Sequence, residues 1–176
     1  MKFIKKKKTG YVIWITGLSG SGKTSIAKGL KKEIESILKP TIVISGDDIR
    51  KIFKLKGHTY EDRKNYIKYY SNLCKFLSDQ NVNVIFAVVG LFEFIRKWNR
   101  ENLKNYIEVY IKSDLKKIIK LKRKNIYTKF KKNIVGRDII PEFPQRPDII
   151  VKNNLNVNLE NLIKETSSKI KKMIRK

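Results

Sequence analysis

Residues 15–30 read ITGLSGSGKTSIAKGL, and within them Gly17, Gly22, Lys23 and Thr24 satisfy the spacing G-x-x-x-x-G-K-[ST]. The stretch follows an apolar run and opens a helical pattern, which is the context that this motif demands. Glycine loses the most conformational entropy on folding, so clustering it at one bend implies that the backbone itself approaches a ligand. The N–H groups of Gly17, Leu18, Ser19, Gly20, Ser21 and Gly22 can then converge as a nest for phosphate oxygens. A helix starting near Gly22 and running through Lys23, Thr24 and Ser25 adds its dipole to the anion site. Lys23 is placed to reach β- and γ-phosphates, and the Thr24 hydroxyl to ligate Mg²⁺. The chemistry expected is binding of a nucleoside triphosphate, with ATP and Mg²⁺ as the working pair.

A second set of reactive groups lies in ISGDDIRKIF, where Asp47 and Asp48 follow an apolar strand-like run. Ligands of open α/β sheets gather at the carboxyl ends of strands. A carboxylate there can take a proton from an attacking hydroxyl or hold Mg²⁺ through water. The competing reading is that Asp47 only caps the helix that follows. No N-K-x-D-like guanine motif is present, and a chain of 176 residues leaves little room for a motor, so a small-metabolite kinase is expected.

These groups need elements to hold them, and the pattern alternates strands and helices. Apolar runs at 11–16, 41–45, 82–89, 106–111 and 148–153 read as buried strands. Helical spacing covers 22–38 (closed by Pro40), the segment begun by DDIRKIF, and 60–80, 93–103, 113–124 and 158–174. Residues 125–147 read as basic and irregular. Tyr66, Tyr69, Tyr70, Leu73, Phe76 and Leu77 fall at three and four spacing and are expected in the core. Alternating elements imply right-handed crossovers and a parallel sheet covered on both faces. The fold class expected is α/β, a P-loop NTPase-type three-layer sandwich with about five parallel strands. Residues 1–10 read as a basic tail, and 11–176 as a single kinase domain with a lid at about 122–140.

Bulk composition excludes several other classes. No apolar run approaches the length of a membrane span. The single cysteine, Cys74, rules out an internal disulfide framework, and its helical spacing suits a core thiol. The net charge of +25 raises a basic nucleic-acid-binding ATPase as the alternative function. However, lysines outnumber arginines 33 to 8 and are scattered along the chain, as compositional drift would leave them. Arginine forks interleaved with aromatics are scarce, so nucleic acid is discounted as a partner. A cytoplasmic protein acting on a small nucleotide, without membrane contact, is the expectation.

The sequence resembles the adenylylsulfate kinase family from about residue 11 to residue 155. GLSGSGKTSIA resembles that family's phosphate loop, SGDDIR its D-G-D-N-[VI]-R segment, and EDRKN its helix bearing Asp-Arg. VIFAVVG stands where the family has a strand ending in I-S-P, and Arg96 and Arg100 match its paired arginines. NIYTKF resembles its G-L-Y-K-K segment, and NIVGRDIIPEFPQRPDIIVKNN its lid and final strand. The resemblance implies transfer of the ATP γ-phosphate to the ribose 3′-hydroxyl of a nucleoside 5′-anhydride. It makes Lys23 and Asp47 the catalytic pair, with Asp47 the base and a further candidate for Mg²⁺. Arg50 and Arg63 would hold the anhydride, with Ile134 and Val135 also on the acceptor side. Lys122 to Arg137 would close over ATP, and the assembly would be a homodimer.

Departures from the family cluster on the acceptor side. Ser45 replaces the first Asp of D-G-D, and Gly90 replaces the serine of I-S-P. His58 stands at the phenylalanine that stacks on adenine, and Tyr66 at a substrate-contacting asparagine. Leu121 and Lys122 replace Arg-Asp before the lid, which is a few residues shorter. CKFLSDQNVNVIFAVVGLFEFIRKWNRENLKNYIEVYIK resembles the branch that includes cytidine diphosphoramidate kinase, which phosphorylates the same hydroxyl on another anhydride. Both acceptors, cytidine diphosphoramidate and adenylylsulfate, are therefore kept. A histidine pocket is expected to disfavour adenosine phosphosulfate, because unpaired polar groups reject a wrong base severely.

Overall fold

The computed structural model describes residues 8–121 and 132–175. Residues 1–7 of the expected tail, residues 122–131 of the expected lid and residue 176 lie outside the described residues. The elements run β1 (Val12–Gly17), α1 (Lys23–Ile34), β2 (Thr41–Ser45), α2 (Gly46–Ile52), α3 (Tyr60–Asp79) and β3 (Asn83–Ala87). They continue with α4 (Glu93–Asn102), β4 (Tyr106–Lys112), α5 (Leu115–Lys120), β5 (Ile149–Lys152) and α6 (Leu159–Ile174). The five strands pair in the order β2-β3-β1-β4-β5, and every pairing is parallel.

β1 is central and buried at all six positions, which is why it reads as an unbroken apolar run. Its alternate residues serve opposite faces. Ile13 and Ile15 join the core beneath α1 and α6, while Val12 and Trp14 join the core beneath α3 and α4. Trp14 stacks on Phe86 of β3 at 5.1 Å between ring centroids. A third apolar cluster, with Leu18, Leu91, Ile134 and Leu155, sits at the carboxyl end of the sheet beneath the loops.

The expected strands and helices are all present among the described residues, with adjusted ends. α1 stops at Ile34 rather than running to residue 38. The long helix buries Tyr70 and Cys74, whereas Tyr69 and Phe76 are exposed. Those two aromatics correct the all-core expectation, because the buried stripe on α3 is narrower than its aromatic content.

One buried ion network ties the sheet to the chain beyond the lid. Glu108 on β4 faces Arg96 Nε at 3.3 Å and Arg100 Nη2 at 2.7 Å. Arg100 Nη1 also meets Asp148 at 3.2 Å, and Asp148 accepts from the Glu108 backbone N–H at 2.7 Å. Glu108 and Arg96 are nearly inaccessible, with side-chain exposures of 3% and 8%. Removing one partner of such a pair leaves buried charge uncompensated. Glu108→Ala should therefore cost about 3–5 kcal/mol, read as a lower urea midpoint. A loss below about 1 kcal/mol, the range of exposed pairs, would contradict this assignment.

Candidate phosphoryl-transfer site

A cavity of about 320 Å³ opens at the carboxyl end of the sheet. Its floor is the bend between β1 and α1, contributed by Ser19, Gly20, Gly22, Lys23, Thr24 and Ser25. Gly22 caps α1 at φ 89°, a left-handed conformation open to glycine. A Cβ there would lie 2.9 Å from Asn153 Nδ2, which donates to the Ser21 carbonyl at 3.0 Å. The end of β5 thus braces the loop from behind. The Lys23 ammonium donates to the Leu18 carbonyl at 2.7 Å, folded over the loop. Gly17, Leu18 and Ser21 stand behind the cavity surface, with Leu18 buried in the third apolar cluster.

The two candidate carboxylates separate cleanly. Ser45 is the N-cap of α2, and its hydroxyl accepts from the Asp48 N–H at 3.2 Å. Asp48 Oδ2 in turn accepts from the Ser45 N–H at 2.9 Å and the Ser45 hydroxyl at 2.7 Å. This reciprocal cap satisfies two end donors of the helix and occupies Asp48. Asp47 is not the cap, and it lines the cavity. Ser45, the departure from D-G-D, is what allows that division of labour.

Beyond Asp47 the wall is cationic. Arg50 Nη2 donates to the Gly57 carbonyl at 2.6 Å and lies 3.2 Å from both ring nitrogens of His58. Arg63 donates from Nε to the His58 carbonyl at 3.0 Å and from Nη2 to the Asn133 carbonyl at 2.9 Å. Two of its nitrogens are therefore bonded to main chain. Tyr66, Ile134 and Val135 line the same cavity. Burial first, then the charges of Arg50 and Arg63, hold the His58 pKa below 6.5, against weaker opposition from Asp62 and Asp47.

Other residues fall differently from the sequence reading. Gly90 lines the cavity at φ 43°, and a Cβ there would sit 2.9 Å from Val88 Cγ1. A serine at this position would need neighbours to move. Arg96 and Arg100, singled out by resemblance, belong to the Glu108 network and do not line the cavity. Tyr70 and Phe92 line it without having been singled out. For Phe92 the available signal was its place just beyond a strand's carboxyl end.

Among the described residues no group of three or more His, Cys, Asp or Glu could hold a metal ion. The Thr24 hydroxyl and Asp47 carboxylate are hard oxygen donors on one cavity. That pairing fits Mg²⁺ carried in with phosphates, since this ion seldom uses an all-protein cage.

A parallel sheet with a glycine-rich bend, a lysine and a hydroxyl at the first turn of α1 defines a phosphotransferase of the P-loop class. The adenylylsulphate kinase family model matches residues 9–152, and the chain belongs to that family. A cytidine diphosphoramidate kinase of Campylobacter jejuni is 37% identical over 161 residues, covering 88% of this chain and 92% of the relative. An adenylyl-sulfate kinase of Pseudomonas aeruginosa is 32% identical over 153 residues, covering 83% and 78%. An APS kinase of Mycobacterium tuberculosis, solved with AMPPNP and APS, superposes with a TM-score of 0.82 at 22% identity. That superposition covers 93% of this chain and 98% of the other. The protein is an ATP-dependent kinase of the adenylylsulfate kinase type, with a nucleotide as substrate. Nothing in these matches favours the nucleic-acid-binding alternative. No helix among the described residues is long and apolar enough to cross a membrane.

His58 is the only histidine in the chain, so its NMR titration reports this site without ambiguity. The midpoint should fall below 6.5. The unfolded chain then binds the proton more readily, so stability declines as pH drops below 6.5. A midpoint at or above 6.5 would contradict the packing described.

Proposed function

We propose that the protein transfers the ATP γ-phosphoryl group to the ribose 3′-hydroxyl of a nucleoside 5′-anhydride, a cytidine diphosphate derivative of the diphosphoramidate kind. The observation that carries this reading is one cavity joining three parts: the phosphate loop, Asp47 and the cationic wall of Arg50, His58 and Arg63. Backbone N–H groups of the loop receive the triphosphate, and the Lys23 ammonium leaves the Leu18 carbonyl for the β- and γ-oxygens. Asp47 takes the proton from the acceptor hydroxyl as its oxygen bonds to the γ-phosphorus. The bond to the bridging oxygen breaks, and ADP departs with that electron pair. Arg50 and the remaining nitrogen of Arg63 meet the anhydride's negative charge. Thr24, with Asp47 through water, would hold Mg²⁺, which would neutralise charge on the transferring phosphates. Residues 134–140, on the return side of the expected lid, contribute Ile134 and Val135 to the acceptor side.

Two observations support a cytidine acceptor. The cytidine diphosphoramidate kinase relative is similar over nearly the whole of both chains. His58 also lines the cavity where the family has the phenylalanine that stacks on adenine, and its polar ring changes the base the site accepts. A cytoplasmic homodimer belongs to the same proposal and rests on the family resemblance.

Coupled ADP release with a panel of nucleoside 5′-anhydrides tests the reading. The cytidine derivative should compete well, and adenosine phosphosulfate should be poor. A preference for adenosine phosphosulfate of about tenfold or more in kcat/KM, ~1.4 kcal/mol, would overturn the acceptor assignment. Lys23→Ala should nearly abolish turnover while the fold survives, and retention of most activity would overturn the donor site.

A further inference from the structure

Tyr66 projects from α3, half-buried, into the acceptor end of the cavity. The Arg50 guanidinium carbon lies 5.1 Å from the centroid of its ring. Its hydroxyl accepts from the Gly57 N–H at 3.2 Å. Arg50 Nη2 is also 3.2 Å from each ring nitrogen of His58. A donor approaching one nitrogen in the ring plane cannot be equidistant from both without striking the carbon between them. Nη2 therefore lies over the face of the imidazole. Arg50 thus touches both rings, the imidazole through Nη2 and the phenol through its guanidinium carbon.

The turn that carries His58 is held at both polar ends of one residue. Gly57 N–H is bound by Tyr66, and the Gly57 carbonyl by Arg50. The two departures at positions 58 and 66 are therefore one structural unit, with Arg50 between them. An asparagine at 66 would offer Arg50 no ring face.

We propose that Tyr66 is a positioning residue for the acceptor: it holds Arg50, and through Arg50 the His58 ring, as a preformed cluster that seats the acceptor's base. This rests on the acceptor reading above and adds the residue that organises it. A guanidinium in contact with both rings and with the Gly57 carbonyl loses little freedom when substrate arrives, so its charge is already in place for the anhydride. Base contact with the His58 ring then contributes affinity that chemistry at the phosphate does not share.

Tyr66→Asn and Tyr66→Phe test this in steady-state assays with ATP and the cytidine acceptor. Tyr66→Asn should raise the acceptor KM by about tenfold through loss of the cation–ring contact. Its kcat and its KM for ATP should stay within about twofold of wild type. Tyr66→Phe keeps the ring but loses the Gly57 bond, so it should raise the acceptor KM by less than Tyr66→Asn, about threefold, without a change in the ATP KM. A reading without turnover comes from the His58 imidazole signals, with cytidine 5′-diphosphate as the probe. They should shift on titration in the wild type, and at higher concentrations in Tyr66→Asn. This arm stands even if the phosphoryl-transfer reading fails. An unchanged acceptor KM in Tyr66→Asn would overturn the proposal. So would kcat and ATP KM worsening in parallel, or Tyr66→Phe behaving like Tyr66→Asn. Should Tyr66→Asn not fold, an unresponsive His58 signal in the wild type, or a tenfold rise in the acceptor KM of Tyr66→Phe, overturns it alone.

Discussion

The bend of main chain between β1 and α1 is the constraint on which the rest depends. Its N–H groups must face an anion, yet the strand leading into it is dry on both faces. Burying β1 in the middle of the sheet fixes where the bend emerges, and Asn153 from β5 braces it through the Ser21 carbonyl. Leu18 anchors the near side in the apolar cluster shared with Ile134 and Leu155. Backbone donors held this way need little reorganisation when charge moves, which is the condition for electrostatic catalysis. The remaining elements bring an acceptor to that bend.

The acceptor wall gathers positive charge that folding has to tolerate. Arg50 and Arg63 sit near one another, and Asp47 is the one carboxylate among the described residues lining the cavity. Among the described residues, the carbonyls of Gly57, His58 and Asn133 accept from these guanidiniums, and both feel the nearby charge of Asp62. Carbonyl acceptors cancel no charge, so the wall keeps a cationic face for an anionic ligand. The Glu108 network shows the contrasting solution. There Arg96 and Arg100 meet carboxylates directly, and their charge holds β4, α4 and the start of β5 together.

Much of the fold and the donor half of the site was legible in the sequence, because both are local. Alternating apolar runs and helical spacing are short-range patterns, and the phosphate loop is a backbone device written in consecutive residues. Resemblance chose Asp47 over Asp48, but the residues alone could not, since the choice turns on which hydroxyl Asp48 binds. The resemblance named Arg63, but its main-chain bonding could not be read, because one of its acceptors, Asn133, lies 70 residues away. Arg96 and Arg100 matched paired arginines by resemblance, but their role could not be read, because their partner Glu108 stands on β4 while they stand on α4. His58 and Tyr66 were visible as separate departures, and only their shared contact with Arg50 joins them.

The central claim is the direction of transfer, from ATP to a ribose 3′-hydroxyl placed beside Asp47. Product analysis by phosphorus–proton correlated NMR tests it most directly, using the cytidine anhydride and its 3′-deoxy analogue in parallel. The account predicts a new phosphorus coupled to the ribose H3′, formed in step with ADP, and no transfer to the 3′-deoxy analogue. ADP formed equally fast with the 3′-deoxy analogue, or phosphate appearing only as the free inorganic ion, would contradict it.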